Sequence, residues 1–212
     1  TLRGNFKQIH GDWAGCAREY IEADNPGVTA LISIGCGADS DPYPHGTVEL
    51  CQEHGREMAD EVNRLLKGPW TPVAATPVAK TATIELPRVD PPAESPDDKP
   101  KEEPSGPLTY TVATWVFGDD LAMVFLEGEV VVDYGTRMRR ELDAKRLWMT
   151  AYTNDVPCYI VSQRVIAEGG YEAKNSLSAK ATGGQPEKLD PLMEDRILGQ
   201  VRALLPETFL AK

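Results

Sequence analysis

Apolar residues recur in this chain with two periods, one typical of helices and one typical of strands. A spacing of three to four residues predicts a helix over Asp12–Ala23 and a second helix, capped by Thr47, that continues to about Leu66. Between them the largely apolar run Val28–Ile34 predicts a buried strand. This order of helix, strand, loop and helix is typical of α/β proteins.

The second half of the chain is richer in strands. Leu108–Phe117 and Leu121–Leu126 flank a Gly-Asp-Asp turn, which predicts an antiparallel hairpin. Helical periodicity follows over Val130–Leu142. The remaining predicted elements are strands at Ala82–Leu86, Leu147–Tyr152 and Cys158–Ser162, and a last helix from about Pro191 to Leu205. Together these patterns predict an α/β fold in which mixed β-sheets are flanked by helices.

A proline-rich segment interrupts this pattern. Ten of the seventeen prolines lie in Pro69–Pro107, and Asp90–Glu103 adds six acidic residues and two lysines with almost nothing apolar. Such a segment cannot bury enough apolar surface to order itself. We therefore predict one domain over residues 1–212 that carries a solvated, mobile insertion at about 88–107.

The composition of the chain limits the kinds of molecule that the protein is expected to bind. An apolar content of 41% is enough for a core, and 33 acidic against 22 basic residues give a net charge of -11. This charge repels nucleic acid and anionic membranes, so no nucleic-acid partner is expected. The chain has no run of about 18 apolar residues and begins with no signal-peptide core, so no membrane span is predicted.

The cysteines and histidines are scattered rather than grouped. No C-x-x-C, H-x-x-x-H or H-x-H spacing occurs among Cys16, Cys36, Cys51, Cys158, His10, His45 and His54. A zinc ribbon or a thioredoxin-like motif is therefore not expected. We expect buried thiols, with a disulfide that involves Cys36 as the alternative if the protein is exported.

Five residues are candidates for chemistry. Glu129 lies at a predicted strand-to-helix junction, where it could be a ligand or only a carboxylate that stabilises the helix start. Tyr159 and Tyr171 lie twelve residues apart around a polar turn, although such tyrosines often only pack in a core. Asp39 and Asp41 could form an acid/base pair, hold an ion, or simply shape the turn before a proline.

Four blocks in order resemble the neutral/alkaline non-lysosomal ceramidase family, in particular its shorter bacterial members. They are GDWAG at Gly11–Gly15, ALISIGCGADSDPYPHGT at Ala30–Thr47, EGEVVVDY at Glu127–Tyr134 and TNDVPCYIVSQRVIAEGGYEA at Thr153–Ala173. The resemblance implies a zinc-dependent amidohydrolase that cleaves the amide of an N-acylsphingosine or similar N-acyl lipid in sphingolipid metabolism. It also implies part of a layered α/β/β/α catalytic domain and an exported protein, either secreted, periplasmic or on the cell surface.

The resemblance assigns roles residue by residue. It makes Glu129 and Tyr159 zinc ligands, and it makes Tyr171 a second active-site tyrosine. Asp41 occupies the position where the family has a serine near the scissile amide, and Asp39 or Asp41 could orient the water or protonate the leaving amine. A carboxylate in place of that serine would repel an oxyanion unless it is protonated or bound to a metal, so ceramide itself need not be the substrate.

The family's two zinc-binding histidines belong upstream of Thr1. The chain is therefore expected to be an N-terminally truncated fragment that is inactive alone and binds zinc weakly or not at all. Two alternatives stay open. One is a non-catalytic ceramidase-like binding or structural domain, and the other is a hydrolase of another linear amide.

Overall fold

A computed structural model describes residues 1–73, 75–89, 106–176 and 188–211. The chain divides into two compact units, Thr1–Ser33 with Ser40–Pro72, and Ile34–Asp39 with Val73–Lys212. The insertion predicted at about 88–107 falls, from 90 to 105, outside the described residues and stays a prediction. The single domain expected over residues 1–212 stays a prediction as well.

The first unit is a pair of packed helices. Helix α1 spans Asp12–Asp24 and helix α2 spans Val48–Leu66, close to the predicted bounds. The Oγ1 atom of Thr47 accepts a hydrogen bond from Leu50 N at 3.3 Å, which caps α2 as its sequence predicts.

One glycine allows the two helices to approach closely. A Cβ atom added at Gly55 in α2 would lie 2.5 Å from Cys16 Cβ and 2.8 Å from Ala17 N in α1. Real side chains essentially never approach that closely, so even an alanine here would force the two helices to shift. The packing of α1 on α2 therefore depends on Gly55.

The predicted strand Val28–Ile34 is wrong, since no residue of this stretch is in a strand. Leu31 is 90% exposed, and Val28 donates instead to Asn25 O in a turn at 3.1 Å. An apolar run becomes a strand only where another strand supplies a ladder of hydrogen bonds. The described residues supply no such ladder to this run.

The second unit is built on a mixed four-stranded sheet flanked by helices, so the predicted fold class is confirmed. Its strands are β1 (Val78–Leu86), β2 (Arg88–Val89), β3 (Leu108–Phe117), β4 (Leu121–Leu126), β5 (Glu129–Val130), β6 (Leu147–Thr150), β7 (Tyr159–Ile160) and β8 (Lys188–Leu189). Its helices are α3 (Val132–Glu141), α4 (Gln163–Glu168), α5 (Tyr171–Lys174), α6 (Met193–Leu204) and a 3-10 turn at Glu207–Phe209. The short helices α4 and α5 were not predicted.

The main sheet has the order β1-β3-β4-β6. The β1–β3 and β3–β4 pairs are antiparallel, and β4–β6 is parallel. Two small pairs lie beside it, antiparallel β2–β8 and parallel β5–β7. The predicted hairpin of β3 and β4 is confirmed with its bounds unchanged.

The core lies between the sheet and the helices of this unit. Alternate residues of β3 and β4, such as Tyr110, Val112 and Val124, are fully buried with Ile197 and Val201 of α6. Helix α3 adds Tyr134 and Met138 to the same cluster. Helix α3 therefore starts at a fixed position relative to the sheet. This also fixes the position of the residues just before the helix.

An arginine joins the two helices at the edge of this core. Arg137 of α3 donates to Glu194 and Asp195 of α6 at 2.9 and 2.6 Å, and to Glu141 at 2.8 Å. Arg202 of α6 pairs with Glu141 as well.

In the part of the chain that the structure describes, no helix has both the length and the apolar character needed to cross a membrane.

The two glycines of the helical pair give a test of its packing. Gly55→Ala should lower the free energy of unfolding by about 1–3 kcal/mol, because the added methyl group must push the helices apart. Gly15→Ala in α1 is the matched control, since its Cβ would meet nothing within 4 Å. It should raise the free energy by about 0.5–1 kcal/mol through helix propensity. Urea unfolding followed by circular dichroism measures both, and equal effects of the two changes would contradict the packing described.

A candidate carboxylate and tyrosine site

The site is built on the short parallel pair β5–β7. Glu129 lies directly beside Tyr159 in its register, and Glu129 N donates to Cys158 O at 3.0 Å. The next bond of the pair runs from Val131 N to Ile160 O at 3.2 Å. Two residues that are thirty positions apart in sequence are therefore held side by side by the backbone.

A glycine makes this close approach possible. Gly128 has φ +79°, a conformation that other residues rarely adopt. A Cβ atom here would lie 2.7 Å from Ile160 Cγ1 and 3.0 Å from Cys158 O. The strand that carries Glu129 thus needs glycine at position 128 both for its turn and for its contact with β7.

Two tyrosines come close to Glu129. Tyr159 is its partner in the register of β5 and β7, and Tyr152 N donates to the backbone oxygen of Gly128, the residue just before Glu129, at 3.1 Å. Burial is the largest cause that raises the pKa of Tyr159, followed by its interaction with Glu129. The pKa of Tyr152 is raised by burial and by Glu129 in the same way. Only a nearby cation would bring such phenols toward ionisation at neutral pH.

Tyr171 completes the aromatic part of the cluster. Its ring meets that of Tyr159 edge-on, with centroids 5.8 Å apart and an interplanar angle of 85°. The side chain is 66% exposed at the first residue of α5. Gly169 and Gly170, at φ +76° and +101°, turn the chain between α4 and α5. Tyr171 is therefore the most solvent-exposed member of the cluster.

Asp39 lies at the start of helix α3. Its Oδ1 accepts from Val132 N at 2.8 Å, and Ala38 N donates to Val130 O at 3.1 Å. The charge of Asp39 also contributes to the raised pKa of Tyr152. This carboxylate therefore stabilises the N-terminal end of the helix.

Asp41 belongs to the other unit and has a different partner. It forms an ion pair with Arg3 at 2.9 Å, and both side chains are more than half exposed. The two predicted acidic residues therefore have different partners. Whether Asp41 acts on a substrate stays a prediction.

The histidines form hydrogen bonds within the first unit. His10 Nδ1 accepts from Asp12 N, a ring nitrogen of His45 lies 2.8 Å from an Arg3 nitrogen, and His54 bonds to Pro44 O at 2.7 Å. Among the described residues, no group of three or more His, Cys, Asp or Glu side chains could hold a metal ion. Glu129 and Tyr159 offer two oxygen donors side by side, and zinc binding by this pair stays a prediction.

A small cleft lies between helix α3 and strand β6. It has a volume of about 300 Å³ and is lined by Cys36 in the loop, Gly135 and Arg139 in α3, and Leu147 and Trp148 in β6, with four further residues. The loop that carries Asp39 therefore also forms one wall of the cleft, through Cys36.

Tyr152 is the functional candidate that the sequence did not reveal. It ends the run Leu147–Tyr152 and was predicted only as a strand residue. In the structure β6 ends at Thr150, and Tyr152 has φ +56°. The following Thr-Asn-Asp stretch signals a turn, but nothing in the sequence indicates that the turn brings this tyrosine close to Glu129.

Comparisons of the chain with protein-family models, with curated proteins and with solved structures find no match. What this cluster can do chemically is therefore argued from its own residues and from the sequence blocks.

The cysteines give a test of the packing around the site. All four are free thiols, and burial raises the pKa of Cys36 and of Cys158 to about 12 and that of Cys51 to about 11. At pH 8 the thiolate fraction at a pKa of 12 is about three powers of ten below that of an ordinary cysteine. Ellman's reagent should thus react slowly with the native protein and rapidly with four thiols after denaturation. Fewer than four thiols in the denatured, unreduced protein would indicate a disulfide and contradict the structure.

Proposed function

We propose that this chain is part of a zinc-dependent amidohydrolase of the ceramidase type, which cleaves the amide of an N-acylsphingosine or a similar N-acyl lipid. The observation that carries the proposal is the in-register pairing of Glu129 with Tyr159, with Tyr171 packed on Tyr159. The resemblance singles out these three residues for one site, although the first and last lie 42 positions apart. Because the three residues lie in one cluster in the structure, their arrangement supports the proposal.

The position of each residue in the cluster suggests its role in the proposed reaction. Glu129 and Tyr159 would hold the metal, together with two histidines that the resemblance places upstream of Thr1. Zinc in such a site supplies polarisation of the amide carbonyl and lowers the pKa of a bound water toward ~7. Tyr171, the exposed member, donates a hydrogen bond to the substrate carbonyl oxygen as negative charge develops on it. Asp39, which accepts a hydrogen bond from Val132 N at the start of α3, would orient a water or protonate the leaving amine.

A non-catalytic ceramidase-like binding domain is the second candidate. It is favoured by the aspartate, Asp41, that stands in place of the family's serine. A hydrolase of another linear amide also fits the cluster. Assays with N-acylsphingosine and with simpler N-acyl amines separate these alternatives, because activity on the simple amides alone would reject the lipid substrate.

Zinc content tests the proposed metal ligands. The full-length protein, extended upstream of Thr1, should hold one equivalent of zinc, and Glu129→Ala should lose it. Glu168→Ala is the matched control, because that exposed glutamate pairs with Arg164. The 212-residue chain alone should bind zinc weakly or not at all, since two ligands cannot match four. Absence of zinc from the full-length protein at every pH would contradict the proposal.

Substitution of the exposed tyrosine tests the catalytic role. Tyr171→Phe keeps the ring contact with Tyr159 and should retain zinc, while kcat falls roughly 10²–10³-fold through the loss of one oxyanion donor. Tyr20→Phe in helix α1 controls for removal of a hydroxyl elsewhere. A Tyr171→Phe enzyme with unchanged kcat would show that the phenol takes no part in the reaction.

A further inference from the structure

The cleft between helix α3 and strand β6 is lined by a single charged side chain. Its lining residues all belong to the second unit, and Arg139 is the one among them that carries a charge at neutral pH. The others are two glycines, four apolar residues, one threonine and the thiol of Cys36, which is neutral because burial raises its pKa to about 12. A volume of about 300 Å³ is at the lower end of the range for clefts that hold small molecules.

Arg139 makes no hydrogen bond or ion pair with any residue that the structure describes. Its neighbours in α3 are paired, Arg137 with Glu194 at 2.9 Å and Arg140 with Glu141 at 3.2 Å. The chain has 33 acidic residues against 22 basic ones, so carboxylates are not scarce. The guanidinium of Arg139 is therefore available to an anion from outside the chain.

The walls of the cleft are held in place by backbone hydrogen bonds. The loop at residues 34–39, which forms one wall, is bonded to both neighbouring elements. Ala151 N, just after β6, donates to Ile34 O at 2.8 Å, and Ala38 N donates to Val130 O of β5 at 3.1 Å. The cleft is thus formed before any ligand enters it, which lowers the ordering cost of binding.

The other side chains of the cleft favour a ligand that is partly apolar. Leu147, Trp148 and Met149 of β6 all line it, and Trp148 is 53% exposed. The planar guanidinium of an arginine matches a carboxylate through two parallel hydrogen bonds. A phosphate is usually held by several cations or by a row of backbone N–H groups, and this cleft offers one cation.

We propose that this cleft binds a small organic carboxylate, whose charged group pairs with Arg139 and whose apolar body contacts the side chains of β6. The proposal does not rest on the proposed function, because neither Glu129 nor Tyr159 lines the cleft. Carboxylate binding and zinc binding can therefore be tested separately.

Calorimetric titration of the 212-residue chain with hexanoate tests the choice of ligand. Hexanoate should bind with a Kd of about 1 mM or below. Hexanamide has nearly the same shape without the charge, and it should bind at least about 10-fold more weakly. Inorganic phosphate should also bind more weakly than hexanoate. The proposal is overturned by the absence of saturable hexanoate binding below about 10 mM, by equal affinity for hexanamide, or by tighter binding of phosphate.

Two neighbouring arginines test the site. Arg139→Gln removes the charge from the cleft and should raise the Kd for hexanoate about 10–100-fold. Arg140→Gln is the matched control, because it removes the same charge from the next residue, which does not line this cleft. It should leave the Kd unchanged. Both side chains are exposed, so both variants should fold, and their melting temperatures check this. An unchanged Kd in Arg139→Gln, or an equal loss in both variants, would show that hexanoate does not pair with Arg139.

Discussion

The parallel pairing of β5 with β7 is the interaction on which the rest of the site depends. It sets Glu129 beside Tyr159, and it continues through Val131 to the start of α3, where Asp39 accepts a backbone bond. Gly128 makes the approach possible, because any side chain there would collide with Ile160. A two-residue ladder is weak alone, so it is the packed core behind α3 and β4 that holds it in place.

The sequence predicted the locally determined elements well. The β3–β4 hairpin and α2 agree with the prediction because their signals are local. The alternation of apolar and polar residues, the tight turn and the cap at Thr47 each depend on only a few neighbouring residues. The strand at Val28–Ile34 failed for the opposite reason. Its apolar run satisfies the pattern, but a strand needs a partner ladder, and no local pattern reveals whether one is present.

The candidate site was predictable only in part. Resemblance to a family singled out Glu129, Tyr159 and Tyr171, and the structure places these three together. It could not reveal Tyr152, whose left-handed backbone is imposed by hydrogen bonds to Leu126 and Gly128 from distant parts of the sequence. Glu129 and Tyr159 lie side by side and offer oxygen donors to a metal, but two ligands are fewer than a stable site needs. Metal binding therefore decides between the proposed functions.

The most direct test is the position of zinc in a crystal of the full-length protein. Anomalous diffraction at the zinc edge should show one site, with a Glu129 oxygen about 2.0–2.2 Å from the metal and the Tyr159 oxygen among its ligands. The pairing of β5 with β7 should be unchanged in that crystal. A zinc site that excludes both side chains, or a structure in which Glu129 and Tyr159 lie apart, would contradict the account.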